Sequence, residues 1–398
     1  MCVLDLFYGG AIFIAMGKSA AATRIDPSAE TGEGGAAFPS LDVAIDQAKR
    51  RGRGAQSNKS GRFEAEARVA FDDGWQSLED LPPFKTTVTV DTARKVITRN
   101  DSPDVGFDRS INPYRGCEHG CVYCFARPTH AYLGLSPGLD FESRLFVKPD
   151  APAMLEKELA AAGYEPRMIA IGTNTDPYQP IEREHKIMRG ILEVLERAGH
   201  PVGIVTKSAL VMRDIDILSR MAKRNLVKVG ISVTTMDPKL ARSMEPRAST
   251  PTKRLEALKA LTDAGVPAKV MVSPIIPALN DQEMERILDS AAHIGVPEAS
   301  YIVLRLPLEV RDLFREWLMA NYPDRYRHVF TLIRDMREGK DYDSQWGARM
   351  KGTGPMAWMI GRRFDIACEK LGLNKRRIKL TTDHFIRPKA SGEQLALF

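Results

Sequence analysis

From residue 167 onward the chain alternates nearly continuous apolar runs with amphipathic stretches, and this alternation restricts its fold more than any other feature. The runs at 167–174, 202–208, 227–235, 268–276 and 300–306 read as strands buried on both faces. Between them, 182–198, 213–223, 251–264 and 281–294 carry apolar residues at helical spacing, with Gly199 and Gly265 as stops. Repeated βα units of this kind imply a parallel sheet covered by helices. With the stretch 110–114 added, the count is about six units. In parallel α/β barrels chemistry collects at the C-terminal ends of the strands.

Just after that first stretch come Cys117, Cys121 and Cys124, three thiols within eight residues. Three thiolates so spaced can hold three irons of a four-iron cluster and leave the fourth open to a ligand. Gly116 and Gly120 give the loop backbone freedom beside its ligands. The competing arrangement is a tetrahedral zinc site completed by His119. Structural zinc sites usually join two separated ligand pairs, whereas the remaining cysteines, Cys2 and Cys368, are isolated. His119 is expected on the loop surface or as a hydrogen-bond partner near the cluster.

The loop, with the aromatic Tyr123 directly before the last cysteine, resembles the signature of the radical S-adenosylmethionine (SAM) enzymes. Over about 105–307 the motifs are similar to the branch that includes spore photoproduct lyase. The resemblance implies a partial (β/α)6 TIM-type barrel and a [4Fe-4S] cluster on Cys117, Cys121 and Cys124. It also implies an electron donor such as flavodoxin or ferredoxin, and reductive cleavage of SAM to a 5'-deoxyadenosyl radical.

Its expected cofactor contacts lie at strand ends. Asn174, Thr175 and Asp176 offer oxygen acceptors to the methionine ammonium. Lys207, costly to bury unpaired, would meet the carboxylate. Ser232 would reach ribose or carboxylate, Ile275 or Ile276 would pack on adenine, and Tyr123 would sit against it. The Glu245-Pro246-Arg247 motif and the following helix would present Arg247 and Arg254 near the site, with surface ion pairs as the alternative. The chain departs from the lyase in lacking a cysteine near the second strand end and in carrying Phe125 after the third cluster cysteine. Thymine-dimer reversal is therefore not implied. Tyr178 reads as a buried structural tyrosine, and distant Cys368 could donate hydrogen only if the C-terminal region covered the mouth.

Outside the barrel, residues up to 62 are rich in Gly, Ala, Ser and charge, with the basic run Lys49, Arg50, Arg51 and Arg53, and read as a disordered tail. Translation from Met16 would make 1–15 an annotation artefact. The segment 63–104 reads as a flanking β region, 86–90 and 94–98 forming a hairpin or edge strands, and 308–398 as a helical extension closing the barrel. Helices are expected over 309–321, 326–338 and 356–371. The basic tail, and a C-terminal 351–398 with ten Lys or Arg against four Asp or Glu, suit a DNA or RNA substrate. The alternatives are a radical enzyme acting on a peptide or small metabolite, and a metal-stabilised nucleic-acid-binding protein without catalysis. Five cysteines, three of them grouped, do not make a disulfide framework, and no membrane anchor is evident. A cytoplasmic enzyme is expected.

Overall fold

The computed structural model describes residues 50–64 and 84–389. Most of the expected tail, including Met16 and Lys49, lies outside the described residues, as do 65–83 and 390–398. The strands are β1 (Thr87–Val90), β2 (Ile97–Arg99), β3 (Arg109–Ile111), β4 (Tyr114–Arg115), β5 (Arg144–Val147), β6 (Ile169–Ile171), β7 (Val202–Thr206), β8 (Val227–Ser232), β9 (Ala268–Ile275) and β10 (Glu298–Val303).

Six of them, β3, β6, β7, β8, β9 and β10, lie side by side in chain order and all parallel. Crossover helices such as Ile187–Arg197, Ile215–Ala222, Pro251–Asp263 and Met284–His293 connect them. β2 pairs antiparallel with β3 at one edge, and β10 forms the other. The result is an open, partial (β/α)6 barrel.

Strand alternation divides two cores. Val227, Val229 and Ile231 of β8 join the large cluster under the helices, together with Val270 and Val272 of β9. On the inner face Ala170, Val205, Met271 and Ile302 pack with Val105, Phe107 and Met350. Lower in the barrel, Lys228 meets Glu298 at 2.7 Å, both side chains nearly inaccessible to solvent.

The strands are shorter than the apolar runs because residues such as 172–174 turn out of the sheet to form the mouth. The expected single helix over 182–198 is two, Glu182–His185 and Ile187–Arg197, broken at Lys186, whose φ is 50°. Glu182 fixes the break by accepting from Met188 N at 3.1 Å and from the Arg213 guanidinium at 2.6 Å. β1 and β2 do not form a hairpin. β1 pairs in parallel with β5 at the edge of a separate three-stranded sheet and β2 lies at the edge of the main one, so both are edge strands, of two different sheets.

Two terminal regions differ from expectation. Residues 50–64 are ordered, with Arg53, Ala55, Gln56 and Ser57 buried, which corrects the disordered reading for that stretch. Helices Val310–Asn321, Tyr326–Asp335 and Gly354–Leu371 follow the barrel. Arg349 pairs with Asp104, and Gly347 N donates to Asp104 at 2.7 Å, tying this extension to the loop between β2 and β3. The chain beyond runs along the strand starts: Asn374 N donates to Pro297 O, Thr381 N to Asn225 O and Ile386 N to Ala198 O, at 2.8, 3.1 and 2.9 Å. The basic run around Lys375 and Arg376 thus sits at the end of the barrel opposite the mouth, because these bonds hold it at the strand starts. Among the described residues no helix is long and apolar enough to cross a membrane.

Candidate active site

The cysteine loop leaves β4 and crosses the mouth. Cys117 N donates to Phe141 O at 2.9 Å and Cys124 N to Cys121 O at 3.2 Å. Gly116 and Gly120 have φ of 74° and 66°, and a Cβ on Gly120 would stand 2.7 Å from the Glu142 carboxylate. All three thiols are free. Burial raises each thiol pKa, with Asp176 adding to the effect at Cys117 and Glu245 at Cys121. As thiolates they therefore need a cation's compensation.

A cleft of about 800 Å³ opens over the thiols. Tyr123, Asn174, Thr175, Asp176 and Lys207 all line it, so the structure brings these expected residues together. Asn112 shapes one wall, its side-chain oxygen accepting from Asn174 N at 3.0 Å and its amide donating to Thr173 Oγ1 at 3.2 Å. The Thr175 hydroxyl is spent on Tyr114 O at 3.1 Å. Asp176 accepts from Thr206 Oγ1 and Lys207 N, both at 2.7 Å, and from Tyr178 N at 2.9 Å. Burial works against its charge, but His119 and these donors bring its pKa down to about 2. His119 is not on the surface: it is 2% exposed, with Nδ1 3.3 Å from Asp176 Oδ2. Among the described residues the Asn174 side chain makes no hydrogen bond, leaving its oxygen and amide open to the cleft.

Tyr123 is anchored from behind. Its hydroxyl donates to Glu245, which also accepts from Thr234 Oγ1 at 2.7 Å and pairs with the fully buried Arg254. Lys207 Nζ lies 5.8 Å from the centre of the Tyr123 ring. The motif around 245–247 thus acts through its glutamate. Arg254 supports the wall from inside, donating to Ser232 O at 3.1 Å, while Arg247 pairs with Glu118 at 3.2 Å.

The opposite wall contains Phe125 and Arg305, the latter not singled out by sequence. Arg305 is 9% exposed, and its guanidinium stacks 5.1 Å from the Phe125 ring centre. Its polar neighbours are Met350 Sδ at 3.6 Å and Tyr342 OH at 3.4 Å, and Nε has no hydrogen bond. Among the described residues it forms no ion pair. Burial, and next the Arg305 charge, pull the Arg337 pKa down to about 10.

Ser232 and Ile275 lie outside the cleft lining. A register irregularity between β9 and β10, with Val272 opposite Tyr301 but Ile275 opposite Val303, breaks the alternation and turns Ile275 toward the helices with Val270 and Val272, and Ile276 joins the neighbouring cluster with Tyr123, so Ser273 and Pro274 form that wall instead. Ser232 is fully buried with a partnerless hydroxyl. Tyr178 is buried on Asp214 at 3.1 Å. Cys368 packs in the large core, away from the cleft.

Residues 111–291 match the family model described as the radical SAM superfamily. The uncharacterised protein Rv2578c of Mycobacterium tuberculosis is 38% identical over 229 residues, 56% of this chain and 67% of that protein. The chain belongs to the radical SAM superfamily. The uncharacterised protein MJ0683 of Methanocaldococcus jannaschii is 29% identical over 238 residues, 60% of this chain and 84% of that one. Spore photoproduct lyase complexed with dinucleoside spore photoproduct gives a TM-score of 0.49 at 16% identity, over 72% of this chain and 80% of that structure.

Radical SAM enzymes use a [4Fe-4S] cluster and SAM, and the residues present fit both. The three thiols share one cleft, and among the described residues no three His, Cys, Asp or Glu side chains converge on a single-ion site. Beside them the Ser273 hydroxyl is buried without a partner, and the cleft has the mixed apolar and polar lining of a small-molecule site.

Proposed function

We propose that the protein reductively cleaves SAM at a [4Fe-4S] cluster on Cys117, Cys121 and Cys124 and directs the resulting radical at a nucleic-acid substrate. When bound, the cluster and SAM together supply a hydrogen-abstracting 5'-deoxyadenosyl radical. Lys207 binds the cofactor carboxylate. Asn174, whose side chain is uncommitted, takes the ammonium in place of the hydrogen-bonded Thr175 and Asp176. Tyr123, held by Glu245, packs against the adenine, and Ser273 replaces Ser232 and Ile275 on that wall.

The observation that carries the substrate class is Arg305. The cleft presents two cations, Lys207 and Arg305, while its one carboxylate, Asp176, is already committed to His119, Thr206 Oγ1 and Lys207 N. A cofactor carboxylate neutralises one cation, and a substrate anion such as a phosphodiester answers the other. The basic C-terminal run lends no support, because it lies at the far end of the barrel. Flavodoxin or ferredoxin would supply the electron.

The test is anaerobic reconstitution with iron and sulfide, reduction with dithionite, and assay of 5'-deoxyadenosine, wild type against Cys121→Ala. Product from wild type alone is expected. Zinc in place of iron, with no product, overturns the reading in favour of a metal-stabilised binding protein. Turnover stimulated by peptides or small metabolites but not by DNA or RNA overturns the substrate class.

A further inference from the structure

The stretch 53–57, which by composition belongs to a polar tail, lies against the outside of the cysteine loop. Gly54 crosses Gly120 so closely that a Cβ on Gly54 would stand 1.8 Å from Gly120 O. Gly54 N and Ala55 N donate to the two carboxylate oxygens of Glu142 at 2.9 and 2.8 Å. Glu142 is completely buried, and its other partner is Arg127, also completely buried, at 2.5 Å. Arg127 spends its remaining donors on the loop, reaching Cys121 O at 2.9 Å and Gly120 O at 3.3 Å, and on Pro137 O and Gly138 O. Arg53 touches the loop from the other side. It donates to Thr86 Oγ1 at 2.9 Å, and Thr86 in turn donates to Glu118, the residue after Cys117, at 2.5 Å.

We infer that residues 53–57 are part of the metal centre, a clasp whose backbone amides hold Glu142, and through it Arg127, against the carbonyls of Gly120 and Cys121. A buried carboxylate stripped of two donors must draw harder on its remaining partner. That partner is the same guanidinium that fixes the middle cysteine. The clasp therefore governs how firmly the thiols retain iron, as a positioning device that touches neither metal nor substrate. Reciprocal bonds between Asn58 and Asp140, at 3.0 and 2.8 Å, pin its far end.

The inference rests on the proposed cluster, so the test reads iron rather than turnover. Wild type, Gly54→Ala, Arg53→Ala and Arg62→Ala are loaded anaerobically. Iron release to a chelator, the electron paramagnetic resonance signal of the reduced protein, and thermal unfolding of the iron-free protein are then measured. Gly54→Ala and Arg53→Ala are expected to release iron roughly tenfold faster, the worth of one hydrogen bond to a charged group, with an altered resonance signal and cooperative unfolding retained. Arg62→Ala, which loses the partly exposed pair with Glu309 and the ring contacts with Phe63 and Tyr132, is expected to release iron as wild type does. Wild-type release and an unchanged signal in both clasp variants, even with lowered thermal stability, would overturn the inference. If Gly54→Ala is not recovered folded, Arg53→Ala decides. A wild type that loads no iron overturns the cluster reading itself, and the clasp's role with it.

Discussion

Arg254→Met removes one partner of the buried pair behind Tyr123. The two side chains are 1% and 0% exposed, so no water replaces the lost guanidinium. Breaking such a pair costs about 3–5 kcal/mol, chiefly because the surviving charge is left buried and uncompensated. Arg254 also donates to Ser249 O at 2.7 Å and Ser232 O at 3.1 Å, while Tyr123 and Thr234 continue to donate to Glu245. The lost carbonyl bonds add to the cost and the retained donors offset it, giving an expected loss of about 4 kcal/mol. The assay is urea unfolding of iron-free protein, so that metal binding contributes nothing. Adding Glu245→Gln removes the stranded charge but keeps an acceptor for Tyr123 and Thr234, and the double variant is expected to regain about half the loss. A single-variant loss under about 1 kcal/mol, or a double variant as unstable as the sum of both singles, would refute the reasoning.

Two further outcomes follow from other parts of the molecule. Arg305→Gln is expected to weaken binding of a short single-stranded oligonucleotide about tenfold and to lower its salt slope by roughly one phosphate, whereas Lys375→Gln at the far end changes neither; fluorescence anisotropy at two salt concentrations checks this. His200 is buried with Nε2 2.7 Å from Tyr164 OH and Nδ1 3.0 Å from Pro201 O. Burial lowers its pKa from 6.5 to about 4 despite the Pro201 carbonyl. The unfolded chain then takes up the proton first, so stability is full above about pH 6.5 and falls as pH drops toward 4, by about 3 kcal/mol. His130, also lowered to about 4 by burial, acts in the same direction. Urea unfolding across this range should show His200→Gln losing about half as much stability as wild type on acidification.

The barrel was readable because its signal is local. Val227, Val229 and Ile231 announce a buried strand from their own spacing, and Gly199 and Gly265 mark helix ends from their own backbone freedom. The cysteines were readable because a cluster demands close ligands. Partnership across long separations was not. Nothing in the sequence joins Tyr123 to Glu245, or Gly54 to Gly120, and the Arg-Gly-Arg-Gly stretch has the composition of a loose tail although its glycines allow two backbones to cross. Ile275 shows the opposite failure: it stands at the right strand end, and alternation from Met271 would aim it inward, but a register irregularity between β9 and β10 turns it to the other face. Arg305 follows a strand without any motif, and only the lack of an acidic partner among the described residues reveals it.

The stitching of residues 374–386 along the starts of β7, β8 and β10 has a consequence for biosynthesis. Those starts come from positions spread over about a hundred residues, and although neighbouring strands already pair there, as where Val202 N donates to Leu226 O, among the described residues no earlier segment runs across all three. A nascent chain can assemble the strands and even the cysteine loop while the opposite end still exposes amides and carbonyls. The barrel is sealed only when its final described segment clears the ribosome, so a stop codon shortly before position 374 would leave a protein with its reactive end built and its base unfinished.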